Sequence, residues 1–315
     1  MPELPEVQNT VDGLRETVIG KTISDIWTDY TSEYYRGKQS YKDPEYFQWM
    51  RSQLIGKSIL QIERRGKYIT LLLKEDWMLL VHMKMTGHFM YGHWEWNNQK
   101  SRWQPPLGFW DSSWNLSREE VMRTMPFSDP YNNFIHLMIT FEDGSQLALS
   151  DMRTFARFEL LKKEEVNILL DSLLGIEPLE QSTTLKKFQS AIKRKPKKKI
   201  KSALLDQSLV TGFGNIYSDE ALFSARIHPE RLVESLNEDE WRALYQSGKK
   251  ILRQAISSGG DSMGDYRRVD GTSGSYQGFH QVYQKEGSPC PHCGTLIEKK
   301  QIDQRMGRYC ARCQL

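Results

Sequence analysis

At 315 residues the chain is too long for one small core and suits two domains with an appendage. With 26% charged and 38% hydrophobic residues and no apolar run of bilayer length, the composition is that of a globular protein and excludes a membrane span. The opening MPELPEVQNT has neither a basic start nor an apolar stretch, so a cytoplasmic chain without a signal peptide is expected; the net charge of +3 names no partner by itself.

Val7, Val11, Leu14 and Val18, spaced by three and four, predict an amphipathic helix begun near Pro5 and ended by Gly20. A second helix is predicted over Pro44–Leu54, with Gly56 after it. Short β-type segments follow at Ser58–Arg64, Tyr68–Leu73, Met78–Met83, Phe134–Phe141, Ser145–Ser150 and Phe155–Leu161, with a turn at Glu142–Ser145. Residues 94–131 interrupt them. This stretch holds five of the nine tryptophans (Trp94, Trp96, Trp103, Trp110, Trp114) with Pro105, Pro106 and Gly108. It reads as an insertion packed over the sheet by its own aromatics, with a stacking platform for single-stranded bases as the alternative.

From residue 164 the pattern turns helical, at Glu164–Leu174, Thr184–Lys193, Ser202–Gln207, Ser218–Ala225 and Glu238–Ser257. Residues 175–180 read as an interdomain linker, and the Gly-, Ser- and Asp-rich 258–278 as a mobile loop. Seven of the nine positions 193–201 are Lys or Arg, which suits either a solvated loop or a phosphate-facing patch. The expected class is α+β. An antiparallel β-sandwich opened by a helix occupies 1–174, a helical domain 175–282, and a zinc ribbon 283–315.

Cys290 and Cys293 form one C-x2-C pair, and Cys310 and Cys313 a second, sixteen residues on. That spacing fits a four-thiolate zinc ribbon, with one structural Zn2+ and no open coordination position for chemistry. Disulfides are the alternative, but nothing suggests secretion. The opening MPELPE can be a plain helix start, with Glu3 and Glu6 favouring the macrodipole. It can also do chemistry. A small second residue normally lets the initiator Met be removed, which would leave Pro2 as a secondary amine. Such an amine can attack a sugar C1′ to give an iminium, an electron sink for elimination, once cations or desolvation lower its pKa.

Seven motifs then carry a resemblance: MPELPEV at the start, RRGKY at 64–68, HMKMTG at 82–87, DMRTF at 151–155, TGFGNIYSDEALF at 211–223, IHPER at 227–231 and QRMGRYCARCQ at 304–314. In this order and over the whole chain they resemble formamidopyrimidine-DNA glycosylase. The resemblance implies a helical domain with a helix-two-turn-helix loop and a bifunctional enzyme of base-excision repair, a DNA glycosylase and AP lyase. It implies Pro2 as the nucleophile, Glu3 as the acid assisting ring opening and proton transfer, Glu6 as a carboxylate in the same pocket, and Lys67 as a phosphate contact near the lesion. Met85, Arg153 and Phe155 match residues that fill the hole left by an extruded base. Lys201, Asn215 and Arg305 match phosphate grips, with Gly212 and Gly214 letting backbone approach phosphate and Ser218 capping the following helix. Residues 258–281 resemble a loop that folds over a damaged purine.

The partner implied is double-stranded DNA containing a damaged base, bound by a monomer that needs no organic cofactor and touches no membrane; on DNA the protein would be nucleoid-associated. Oxidised purines such as 8-oxoguanine are the expected substrates, favoured by Leu4, by the separated Met85, Arg153 and Phe155, and by the long loop before the ribbon. An endonuclease VIII-like preference for oxidised pyrimidines and a non-catalytic damaged-DNA-binding protein are the alternatives. Met152 and Thr154 depart from the family's usual Pro and Arg, which puts one backbone turn and the choice of opposite base in question. The tryptophan-rich insertion has no counterpart in the resemblance.

Overall fold

The computed structural model describes residues 1–30, 32–104 and 129–315. Trp110, Trp114, Pro105, Pro106 and Gly108 lie outside the described residues. Helix α1 (Leu4–Thr17) starts behind Glu3, with Pro5 in its first turn. It buries Val7, Val11 and Leu14, as their spacing predicts. These side chains fill one core with residues from two four-stranded antiparallel sheets.

The first sheet runs β1 (Ile23–Thr28), β8 (Ile135–Phe141), β9 (Gln146–Ser150), β5 (His88–Gly92); the second runs β10 (Arg157–Lys162), β4 (Trp77–His82), β3 (Tyr68–Leu73), β2 (Ile59–Arg65). Helix α2 (Pro44–Leu54), capped by Asp43, adds Phe47, Met50 and Leu54 to the same core. Strands β1 and β5 escaped the pattern reading. A register shift between Ile23 and Asp25 breaks the alternation of β1, and β5 begins on His88, a buried polar residue satisfied by Asn132.

Two strands are apolar on both faces because both faces are covered. On β4, Met78 and Leu80 meet Val166 and Leu170 of α3 (Lys163–Leu173). On β9, Ala148 lies under Trp94 and Trp103. A hairpin of β6 (Glu95–Asn97) and β7 (Arg102–Gln104) pairs Trp96 with Trp103, and the two rings meet Trp27 of β1 tilted and edge-on, with centroids 5.3 and 5.4 Å away. The described part of the insertion thus packs over the sheet through Trp94 and Trp103, while Trp96 keeps 40% of its surface exposed.

The second core belongs to α4 (Leu185–Lys193), α5 (Ile200–Leu204), α6 (Asn215–Ser224) and α7 (Glu238–Ser257), centred on Trp241, Phe213 and Leu222. Asn237 caps α7 in a capping box with Glu240. The chain ends in a hairpin of β11 (Glu298–Ile302) and β12 (Arg305–Tyr309).

The link between the sheets and the helices is short and ionic. Gly175 packs so closely on the Leu209 carbonyl that a Cβ there would lie 2.2 Å from it. Two residues on, the buried Glu177 carboxylate meets Arg64 at 2.8 Å and Arg65 at 3.3 Å, both at the end of β2. Truncating one partner of a buried pair strands the other's charge. Glu177→Ala should therefore lower unfolding stability by about 3 kcal/mol in urea melts; a change below about 0.5 kcal/mol would show that the pair does not hold the link.

Candidate active site

The chain's first turn is seated on the helical domain. Leu4 N–H donates to the Gly212 carbonyl at 3.0 Å. The Glu3 carboxylate accepts from Gly214 N–H (2.7 Å), Ile216 N–H (3.0 Å) and Tyr217 N–H (3.4 Å), the unpaired donors at the start of α6. Close approach explains the glycines. A Cβ on Gly214 would lie 2.3 Å from the Glu3 carboxyl carbon, and Gly212 has φ +88° with Leu4 against it. In this structure the two glycines therefore make room for Glu3 and Leu4, where the sequence suggested a phosphate. Ser218 caps nothing: α6 begins at Asn215, and Ser218 sits buried inside it, donating to the Asn215 carbonyl.

Glu6 lies one turn on, wholly inside. It accepts from Glu3 N–H and Asp261 N–H, both at 2.8 Å, and from the Tyr217 hydroxyl. Burial first, and then the neighbouring charge of Glu3, push its carboxyl up to about 7, against those hydrogen bonds. Lys67, buried at the β2–β3 turn, is pulled below the usual lysine range by burial, opposed by Glu3 and Glu6. Pro2, Glu6, Asp261, Met263, Tyr266 and Tyr283 line a cavity of about 150 Å³. Pro2 and Glu6 thus share one cavity, Glu3 bonds Glu6 through its own N–H, and the charges of both carboxylates act on Lys67.

Met85 and Phe155 line a wider cleft of about 840 Å³, which Met1 also borders. Phe155 is half exposed, and the exposed Arg153 guanidinium stacks 4.7 Å from its ring. The turn that carries them is locked by the buried Asp151, whose carboxylate takes the Thr86 hydroxyl and Ala156 N–H. Thr154 stands at φ +52° in this turn, with its carbonyl taken by the Lys42 ammonium. Phe155 precedes β10 and is not part of the strand.

The phosphate grips divide. Arg305 is exposed at the start of β12, and Asn215 opens α6 beside Glu3. Lys201 is neither exposed nor free. Its side chain is fully buried, and the ammonium pairs with Asp219 and donates to the Met306 carbonyl at 2.9 Å. It therefore joins α6 to the hairpin, its ammonium held by protein oxygens. The basic run behaves likewise: Lys195 and Lys198 share Asp206, while Lys199 pairs with Glu230 and Asp303.

The four thiol sulfurs lie within 4.8 Å of one another, Cys290 to Cys313 at 3.8 Å and Cys293 to Cys310 at 3.5 Å. Four Zn–S bonds of about 2.3 Å at tetrahedral angles need sulfurs about 3.8 Å apart, so the residues fit the ion, and no disulfide joins them.

Three family models match along the chain: the formamidopyrimidine-DNA glycosylase N-terminal domain over residues 1–158, its H2TH domain over 174–267, and the zinc finger found in FPG and IleRS over 287–315. A formamidopyrimidine-DNA glycosylase of Streptococcus pneumoniae is 37% identical over 100% of this chain and 99% of its own. The chain belongs to the formamidopyrimidine-DNA glycosylase family. A Bacillus cereus glycosylase of that name is 34% identical at the same coverage. The solved Lactococcus lactis Fpg, in complex with DNA containing an abasic site, superposes with a TM-score of 0.77 at 31% identity over 99% of both chains. The fold class and the zinc finger expected from the sequence are those of the family, whose members are DNA-repair glycosylases.

This glycosylase also uses groups to which pattern reading assigned no role. Tyr217 and Asp261 hold Glu6; Asp219 receives Lys201 and Arg308 N–H; the Glu220 carboxylate gathers the N–H groups of Gln281, Val282 and Tyr283. The acidic pair in TGFGNIYSDEALF was the available signal, since Asp and Glu inside an apolar helix need partners.

A family member with this cluster should carry one Zn2+ per chain. Cys310→Ser should release it and loosen the hairpin, measurable as loss of metal by plasma mass spectrometry together with faster amide exchange at Arg305–Tyr309; retained order without metal would contradict the structural role. Glu6 gives a pH test. Its carboxyl binds a proton more tightly folded than unfolded, so its contribution is full below about pH 4.5 and is lost as pH rises through about 7. Relative to Glu6→Gln, the wild-type chain should lose about 2–3 kcal/mol of stability between pH 4.5 and pH 8. Parallel pH dependence of the two would refute it.

Proposed function

We propose that, with Met1 removed, the Pro2 ring nitrogen attacks C1′ of an oxidised purine nucleotide in double-stranded DNA, such as 8-oxoguanine or a formamidopyrimidine. The observation that carries this is that Pro2 and Glu6 line one small cavity, with Glu3 bonded to Glu6 and the buried Lys67 within reach of both carboxylates' charge, beside a cleft lined by Met85 and Phe155. The first bond to form is N–C1′ and the bond that breaks is the glycosidic one, with the base leaving as its protonated form. C1′ then bears the amine nitrogen and the ring oxygen; breaking C1′–O4′, with a proton delivered to O4′, opens the sugar and leaves the iminium, which withdraws electrons so that loss of the C2′ proton expels the 3′ phosphate and a second elimination expels the 5′ phosphate. Water then releases the amine.

The residues take distinct parts. Glu3, bonded by three amides at a helix start, is held beside the amine for sugar ring opening. Glu6, half protonated near neutral pH, is a proton reservoir one turn away. The lowered basicity of Lys67 reflects the same dry setting that would keep a prolyl amine unprotonated. Lys67, Asn215 and Arg305 would hold phosphates, and Met85, Arg153 and Phe155 would fill the gap left by the extruded base. The sandwich (1–174), the helical domain (175–282) and the ribbon (283–315) would then supply the amine, the seat and the mount of Arg305. The protein would act as a cytoplasmic monomer.

Borohydride trapping tests this. The mature chain on an 8-oxoguanine duplex should give a covalent adduct of protein with DNA, and Pro2→Gly at least tenfold less. One Lactococcus lactis complex holds DNA with an oxidised pyrimidine, so a pyrimidine-lesion duplex should be run beside it. Adduct on that duplex alone would move the substrate to pyrimidines, and adduct on neither, nor on an abasic site, would leave a binding protein.

A further inference from the structure

Residues 258–281 leave α7, cross to the sheet domain and return. On the far side Val269 is buried against Gly13 of α1, and Tyr91 N–H donates to the Val269 carbonyl at 2.8 Å. The Asn132 amide donates to the Gly271 carbonyl at 3.1 Å. On the near side Met263, Gly264, Asp265 and Tyr266 form one wall of the 150 Å³ cavity that Pro2 and Glu6 also line.

Arg267 stands where wall and crossing meet. Its side chain is 7% exposed. One guanidinium nitrogen donates to the Gly264 carbonyl at 2.9 Å and the Tyr266 carbonyl at 2.7 Å, so it closes the wall segment on itself. The Nε–H donates to Asp129, and the guanidinium plane lies 4.8 Å from the Tyr131 ring. Asp129 and Tyr131 belong to the exit of the tryptophan-rich insertion, whose β6–β7 entry is packed on Trp27. A planar, always-charged fork that satisfies two carbonyls and a carboxylate at once fixes direction as well as distance.

We infer that Arg267 and Asp129 are positioning residues for base removal, through which the chain at 129–131 sets the wall of the base pocket. This rests on reading the cavity as the pocket for the extruded base. The sugar chemistry has a separate support, because Glu3 is seated on α6 and owes nothing to Arg267. Base excision and cleavage of a preformed abasic site should therefore respond differently.

The experiment measures single-turnover rates of Arg267→Ala, Asp129→Asn and Arg267→Lys on an 8-oxoguanine duplex and on a duplex carrying an abasic site. A wall displaced by a fraction of an ångström should slow excision roughly tenfold or more in the first two variants. Cleavage at the abasic site should stay within about twofold, which also reports that the chain is folded. Arg267→Lys, able to reach Asp129 but not all three oxygens, should fall between. The double variant Arg267→Ala, Asp129→Asn should be no slower than Arg267→Ala alone, as for one coupled unit. Equal losses on both duplexes would make the pair merely structural, and unchanged excision would remove its role; either overturns the inference. Wild-type protein that cleaves the abasic site but no oxidised base would instead overturn the pocket reading beneath it.

Discussion

A single carboxylate decides where everything else stands. Glu3 lies on the open end of α6, where three backbone N–H groups and the helix dipole meet it, and it reaches that end only because Gly214 has no side chain. Charge-assisted bonds of this kind contribute about 1.5–3 kcal/mol each when buried. The start of the chain is thereby fixed to the domain that follows it by some two hundred residues. The active site has no existence on the sandwich alone. Glu6 follows from the same contact: an anion next door and no water make a second charge expensive, so its proton stays until near neutrality.

Helix α6 carries this constraint to the rest of the molecule. Its first turn holds Glu3, while Asp219 and Glu220 behind it hold Lys201, the Arg308 amide and the chain at 281–283. A helix gripped on all sides has no polar stripe to show, and α6 is buried almost throughout. The metal hairpin is thus attached to the seat of Glu3 through a lysine and two acids, and Arg305 inherits its placement from them.

Legibility followed locality. Helix α1, the span of α7, the strands β3 and β4 and the metal ligands were readable because each is written in neighbouring residues: apolar spacing, alternation, paired cysteines. Strands β1 and β5 were not, since a bulge and a buried His88 blur their alternation. The basic run was left open between two readings. Counting charges along the chain cannot show that Asp206, Glu230 and Asp219, each distant in sequence from some of its partners, neutralise Lys195, Lys198, Lys199 and Lys201. Glu3, Glu6 and Lys67 were found through the resemblance, whereas Tyr217, Asp261 and Arg267 act through contacts that only folding creates.

The tip formed by Met152 and Phe155 keeps 43% and 49% of its surface wet on a turn that Asp151 does not let collapse. Free in solution the molecule carries the hydration of two large apolar groups it could otherwise have hidden. Whatever comes to cover them sheds that water, adding an entropy-driven gain near room temperature and a fall in heat capacity that need no base identity to appear. Damaged and intact sites would share this part of the attraction, and discrimination falls to the groups beneath.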